Sequence, residues 1–242
     1  MEKFKEFVNK NTPYLEDIRR RLYTMSIFFI VFFVLGFFLT SYIIQSILGL
    51  FEIKGVTIAT TSPFQFADLS INIGFLFAFI IICPILIYQI FSFLKPALSR
   101  KEKWFFFMLI PLAFILFVLG FVYGFLILYF ALTILAQINV QIGVQNIWDI
   151  GMFLSQIVLT STLLGLLFQF PIVCTYIIRI GIVDVDFLKQ KRRIAMFIIF
   201  IFTTLLPPTD GISLLAMALP LILLYEITIV VNSKIRRTKS II

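Results

Sequence analysis

Long stretches without a charged side chain decide what this sequence can fold into. No Asp, Glu, Lys or Arg occurs from Leu22 to Phe51, Leu69 to Leu94, Trp104 to Trp148, Ile150 to Ile178 or Ile194 to Thr209. From Gly211 to Ser233 the one charge is Glu226. A helix needs about 20 apolar residues to cross a bilayer core of about 30 Å. Backbone in lipid must satisfy its own hydrogen bonds, so each run is predicted to be a helix. Composition agrees. Hydrophobic residues make up 61% and charged residues 13%, against about a quarter charged in soluble domains. A water-soluble globule and a disordered chain are both excluded.

The charges between the runs set the topology. One span per run gives six, and nineteen of the twenty basic residues then fall on one side. They lie before residue 22, between 95 and 103, between 179 and 193, and after 233, with Lys54 alone opposite. Such bias marks the cytoplasmic side. Splitting the long run 104–148 in two would destroy it, and Gln137, Asn139, Gln141, Gly143, Gln145 and Asn146 suit an outer loop. The expectation is an all-α integral membrane protein with both termini inside. It forms a single transmembrane domain over 1–242, with approximate spans 22–44, 69–93, 104–130, 150–178, 194–206 and 212–231. Arg19-Arg20-Arg21 before an apolar run looks like a signal peptide, but the run is too long and no small-residue cleavage site follows.

The last two spans are predicted to be short. Arg193 fixes the inner end of the fifth, and Pro207-Pro208 stop it, since adjacent prolines remove two donors and clash with the preceding turn. Thirteen residues reach about 20 Å. The turn 207–210 then lies below the outer surface, or the bilayer thins there. It is either a tilted hairpin or a thin spot for a partner.

Chemistry is narrowed by absence. There is no His, which removes imidazole relays and His-containing metal sites. The two Cys, Cys83 and Cys174, read as small core hydrophobes, and no phosphate loop or dinucleotide fingerprint occurs. No metal, cofactor or catalytic role is expected. Polar residues inside the runs are therefore informative. Glu226 lies near an inner end, where packing and function are both open. Gln169 lies deep in the fourth run beside Pro171. It either bonds a neighbouring helix or the carbonyl freed by Pro171, or docks a polar residue of another protein. On the inner side, Glu16 and Asp17 precede the Arg triplet, and Glu102 sits among Arg100, Lys101 and Lys103. These acids form either local ion pairs or a fork for a guanidinium ligand.

Motifs in order along the chain, from Tyr14-Leu15-Glu16-Asp17-Ile18-Arg19-Arg20-Arg21-Leu22 through Phe168-Gln169-Phe170-Pro171 and Leu206-Pro207-Pro208-Thr209-Asp210 to Tyr225-Glu226, resemble those of the TatC family of twin-arginine protein translocases. Tyr14-Leu15-Glu16-Asp17-Ile18-Arg19-Arg20-Arg21-Leu22 is similar to the family's His-Leu-x-Glu-Leu-Arg-x-Arg-Leu. Ser62-Pro63-Phe64, the segment 84–93, Phe93-Leu94-Lys95-Pro96-Ala97-Leu98, Phe168-Gln169-Phe170-Pro171, Leu206-Pro207-Pro208-Thr209-Asp210, Ala218-Leu219-Pro220 and Tyr225-Glu226 follow in the family's order. Asp17 stands for its usual Glu, Tyr14 for His, Gln169 for a frequent Glu, and Leu214 for a polar residue.

The resemblance implies a concave six-helix bundle with short fifth and sixth helices. It implies that twin-arginine signal peptides bind on the inner face at Asp17, Glu102, Phe93, Pro96 and Arg19. TatA/TatB-like single-span subunits would dock through Gln169, Thr203, Thr204, Thr209, Asp210 and Ser213, with Glu226 a structural polar group. The implied work is recognition and assembly of a multi-copy complex that moves folded cargo on the proton-motive force, with membrane lipid around it and no nucleic acid. A bacterial plasma membrane is expected, an organellar (thylakoid or mitochondrial inner) membrane being the alternative. The rival function is a solute transporter or ABC-type permease. That function needs a cytoplasmic coupling helix, and the sequence 179–193 shows none with a Gly hinge.

Overall fold

The computed structural model describes residues 2–51, 53–94, 100–208 and 210–239. Side chains at 2–15, 87–88, 90–94, 100–107 and 235–239 lie outside that description. Helix α1 runs Glu2–Leu50, strand β1 Val56–Ala59, α2 Gln65–Leu94, α3 Arg100–Gln141 and β2 Asn146–Asp149. Then come α4 Ile150–Leu167, α5 Phe170–Ile180, α6 Val185–Gln190, α7 Arg192–Thr204 and α8 Gly211–Lys239. Among the described residues five stretches are long and apolar enough to cross a membrane: Glu16–Leu50, Gln65–Leu86, Met108–Gln141, Ile150–Ile180 and Gly211–Lys234. The sixth crossing is α7, at thirteen residues. The fold is the helical membrane bundle that the charge-free runs predict.

The helices pack as an open row. Helix α1 leans on α2, α2 on α3 and α4, α3 on α4 and α8, and both α5 and α7 on α8. Lipid tails are as apolar as the side chains, so close packing holds such helices together. Helices α3 and α4 approach through glycine. A Cβ added at Gly124 would lie 2.8 Å from the Ser161 Cα, and one at Gly120 2.8 Å from the Leu164 carbonyl oxygen. Near the outer end, Phe51 is buried among the rings of Phe125, Tyr129 and Phe153, with centroids at 4.7, 5.5 and 5.4 Å.

Three features depart from the sequence reading. Helix α3 continues to Gln141, beyond residue 130, because Gln137 and Gln141 are good helix formers. Gly143, at φ 79°, then turns the chain. Strands β1 and β2 form a parallel two-stranded ribbon in the outer loops, with Val56 opposite Asn146 and Ala59 opposite Asp149. Asn146 is buried there, its amide donating to the carbonyls of Ala136 (3.0 Å) and Gly55 (3.3 Å) and its oxygen accepting from Asn139 (2.7 Å). The inner loop 179–193, in which the sequence shows no coupling helix with a Gly hinge, contains the short helix α6 after Gly181 at φ 83°. Six residues are too few for a periodicity to register. Helix α6 is held on the bundle, since Val185 is buried and the Tyr225 hydroxyl donates to the Leu188 carbonyl at 2.6 Å.

Candidate functional site

The inner end of α1 passes unbroken through the acidic and basic residues, so spacing sets their faces. Glu16, Arg19, Arg20 and Tyr23 recur at helical intervals of three and four and line one open cavity of about 370 Å³. Asp17 and Arg21 lie one helical step round, toward α2. Arg21 Nε donates to Asp17 Oδ2 at 2.9 Å, and Arg21 Nη1 donates to the carbonyl and the side-chain oxygen of Gln89, both at 3.2 Å. Arg21 thus ties α1 to α2 and fixes the rotamer of Asp17. The Asp17 side chain keeps 44% of its surface exposed. A half-exposed ion pair of this kind contributes well under about 1 kcal/mol, so its effect is orientation more than stability.

Of the predicted signal-binding residues, Asp17 turns toward α2 with Arg21, whereas Arg19, two positions on and about 200° round the helix, lines the open cavity. Phe93 lies in the last turn of α2 and Glu102 in the first turn of α3 in backbone trace, but both side chains lie outside the described residues, as does Pro96 altogether. Glu16, rather than Asp17, lines the open cavity. The sequence presents the two acids as equivalent, and only their rotation on α1 separates them. Gln89 is likewise absent from the predicted set, because its partner Arg21 is sixty-eight positions away.

Gln169 sits at the break between α4 and α5, where Pro171 interrupts the backbone ladder. It is buried, and its Nε2 donates to the Ala113 carbonyl of α3 at 3.0 Å. Its Oε1 is enclosed without a hydrogen-bond partner among the described residues. The amide thus points into the α3–α4 seam.

The α7–α8 turn carries the other predicted docking residues. Thr203 is buried and bonds back to the carbonyls of Ile199 and Phe200, both at 3.0 Å. Thr204 is exposed and bonds to the Phe200 carbonyl at 2.7 Å. Asp210 caps α8, its Oδ2 accepting from the Ser213 backbone N–H at 2.9 Å, while its Oδ1 is buried with no hydrogen-bond partner among the described residues. Ser213 is buried, and Thr209 lies outside the described residues. The expected polar cluster is therefore divided, with Thr204 presented outward and Thr203 and Ser213 packed inward. The Thr160 hydroxyl of α4 donates to the Pro207 carbonyl at 3.0 Å and holds the turn in place. At the opposite end Glu226 pairs with Arg192 at 3.0 Å, joining α8 to the start of α7.

On the outer side an unpredicted latch centres on Asp149. Its Oδ2 accepts from the Thr61 hydroxyl and from Gln65 Nε2 (2.6 Å), and its Oδ1 caps α4 through the Met152 N–H at 2.8 Å. These bonds, that from Thr61 foremost, hold the carboxyl below the usual range, at about 2.

Known proteins share this arrangement. The family model for the Sec-independent protein translocase protein (TatC) matches residues 13–220. The chain is 30% identical to a Sec-independent protein translocase protein TatC of Halalkalibacterium halodurans, over 90% of this chain and 87% of that one. It is 28% identical to TatCy of Bacillus subtilis, over the same shares of each. A crystal structure of a twin arginine translocase receptor, TatC in DDM, superposes with a TM-score of 0.80 at 28% identity, covering 90% of this chain and 99% of that one. With the family matched from the inner end of α1 into α8, this chain belongs to the TatC family of Sec-independent protein translocase proteins.

Proposed function

We propose that this chain is the subunit that recognises twin-arginine signal peptides for a Sec-independent translocase of a bacterial plasma membrane. The observation that carries the reading is the clamp at the inner end of α1. Arg21, anchored on Gln89, presents the Asp17 carboxylate at the seam between α1 and α2, while Glu16 and Arg19 line the cavity beside it. A guanidinium prefers a fork of carboxylate oxygens already oriented, since little side-chain entropy is then lost on pairing. In this reading Asp17 and Glu102 take the two signal arginines, Phe93 and Pro96 shape the adjoining loop, and Arg19 lines the approach. TatA/TatB-like single-span subunits then gather on the α7–α8 hairpin near Thr203, Thr204, Thr209, Asp210 and Ser213. Gln169 supplies a deeper polar contact, and Glu226 holds the hairpin's inner end. The complex holds several copies, and folded cargo crosses on the proton-motive force.

The test is site-specific crosslinking of a twin-arginine signal peptide to the chain in membranes. Asp17→Asn and Glu102→Gln each abolish the crosslink while membrane insertion is unchanged. Undiminished crosslinking in both variants overturns the assignment.

A further inference from the structure

A second cavity, of about 500 Å³, lies between α5, α7 and α8, far from the α1 clamp. That volume is in the range of sites that hold small molecules, about 300–1,000 Å³. Lys191, the residue before α7, and Ala195, Ile198 and Phe202 of α7 line it, spaced three and four apart on one side. From Lys191 to Phe202 the slot follows the helix axis for roughly 16 Å. Its walls are apolar almost throughout. The Tyr225 hydroxyl among them is already bonded to the Leu188 carbonyl.

Charge enters at one end only. Lys191 is the cation among the lining residues, exposed at the inner mouth with its ammonium 6.0 Å from the Phe187 ring centroid. Of its basic neighbours, Arg192 pairs with Glu226 at 3.0 Å and Lys189 with Asp186 at 3.1 Å, while Arg193 is exposed and does not line the slot. A narrow apolar slot along the membrane normal, with a cation at headgroup level, matches an amphiphile with an anionic head and a long hydrocarbon tail. A spanning helix fits less well, because Phe187 and Leu188 of α6 line the inner end where such a helix would have to leave.

We propose that this slot binds one acyl chain of an anionic phospholipid, with the headgroup phosphate on Lys191. The lipid fills the space between α5 and α7 that α8 alone does not close. It couples the short α7 to the inner leaflet. Cationic side chains between transmembrane helices on the cytoplasmic side are placed to take such headgroups.

The experiment uses the full chain in detergent and in nanodiscs, with phosphatidylglycerol and phosphatidylcholine as probes. Native mass spectrometry is expected to show phosphatidylglycerol retained over phosphatidylcholine. Lys191→Gln lowers that preference about fivefold, the factor for ~1 kcal/mol per basic residue near a charged headgroup. Ala195→Phe, which fills the slot, lowers retention of both lipids. In a Cys83→Ala chain, phosphatidylglycerol protects Cys174, which lines the slot, from maleimide. Equal retention of the two lipids, or a Lys191→Gln chain that keeps the wild-type preference, overturns the proposal. So does protection of Cys174 by an added single-span partner but not by phosphatidylglycerol, which would assign the slot to a protein helix.

Discussion

The Thr160 hydroxyl reaches the Pro207 carbonyl at 3.0 Å, and this bond sets the level of the α7–α8 turn. Thr160 lies ten residues into α4, about 15 Å below that helix's outer start. The turn that follows the thirteen residues of α7 is therefore tied to α4 well below α4's outer end. Irregular backbone at such depth is tolerated where protein or water covers it, and Thr160 supplies one such cover. Thr160→Val keeps the shape and removes the donor. It is expected to cost about 1 kcal/mol, lowering the apparent melting temperature in detergent by ~2–4 °C. A cysteine placed at Leu205 should also label faster. An unchanged melting curve with unchanged labelling would show that the turn is held by packing alone.

A second expectation concerns Gln89. Its side chain and carbonyl both accept from Arg21, which in turn holds Asp17. Gln89→Leu leaves every charge in place and removes one of the two anchors. If orientation of Asp17 is what matters, crosslinking of a twin-arginine signal falls severalfold, whereas an Asp17 that works by charge alone keeps the wild-type yield. Arg21→Lys separates the same alternatives, since an ammonium cannot span Asp17 and Gln89 as the guanidinium fork does.

Acid sensitivity on the outer side is expected from Asp149. Its folded value, about 2, lies below the ordinary carboxylate value of 3.8. A depressed folded value means the charged form is bound more tightly in the fold, so its contribution is complete above about pH 4 and is lost as pH falls through about 2. Limited proteolysis of the outer loops in a pH series should show the segments around Thr61 and Gln65 opening in that window. Asp149→Asn should open them at every pH and flatten the profile. A variant with the wild-type acid profile would remove Asp149 as the cause.

Much of the helical frame is legible from charge placement, because the cost of charge in lipid acts residue by residue. Pro207-Pro208 likewise foretell that α7 stops just before them, expected at Leu206 and observed at Thr204, since missing donors and ring clashes act locally. Contacts between distant segments are another matter. Nothing near Val56 announces its pairing with Asn146 ninety positions on. The Arg192–Glu226 pair is equally silent, because each residue reads as an anchor at its own helix end. Within the candidate site, the sequence identifies the acids but not their rotation. Glu16 and Asp17 are adjacent in the chain and one helical step apart in space, which sends one to the open cavity and the other to Arg21.

Gln169 carries the last prediction. As a residue deep in an apolar run it reads either as an interhelical bond or as a docking point, and the geometry shows the interhelical bond. Its Nε2 spends a donor on the Ala113 carbonyl at 3.0 Å, while its Oε1 is buried with no partner among the described residues. Gln169→Leu loses an interhelical bond worth ~0.6–1.7 kcal/mol, and it also removes the orphaned acceptor. The stability loss should be small, since the Ala113 carbonyl lies within α3 and keeps its own helical bond. Loss of the acceptor should weaken co-purification of TatA/TatB-like subunits several-fold and leave signal-peptide crosslinking at wild-type yield. Gln169→Glu keeps an acceptor at that position and should recover part of the association. If instead the Leu variant loses the signal crosslink and keeps its partners, the orphaned oxygen serves the signal peptide, and the docking role assigned to Gln169 is wrong.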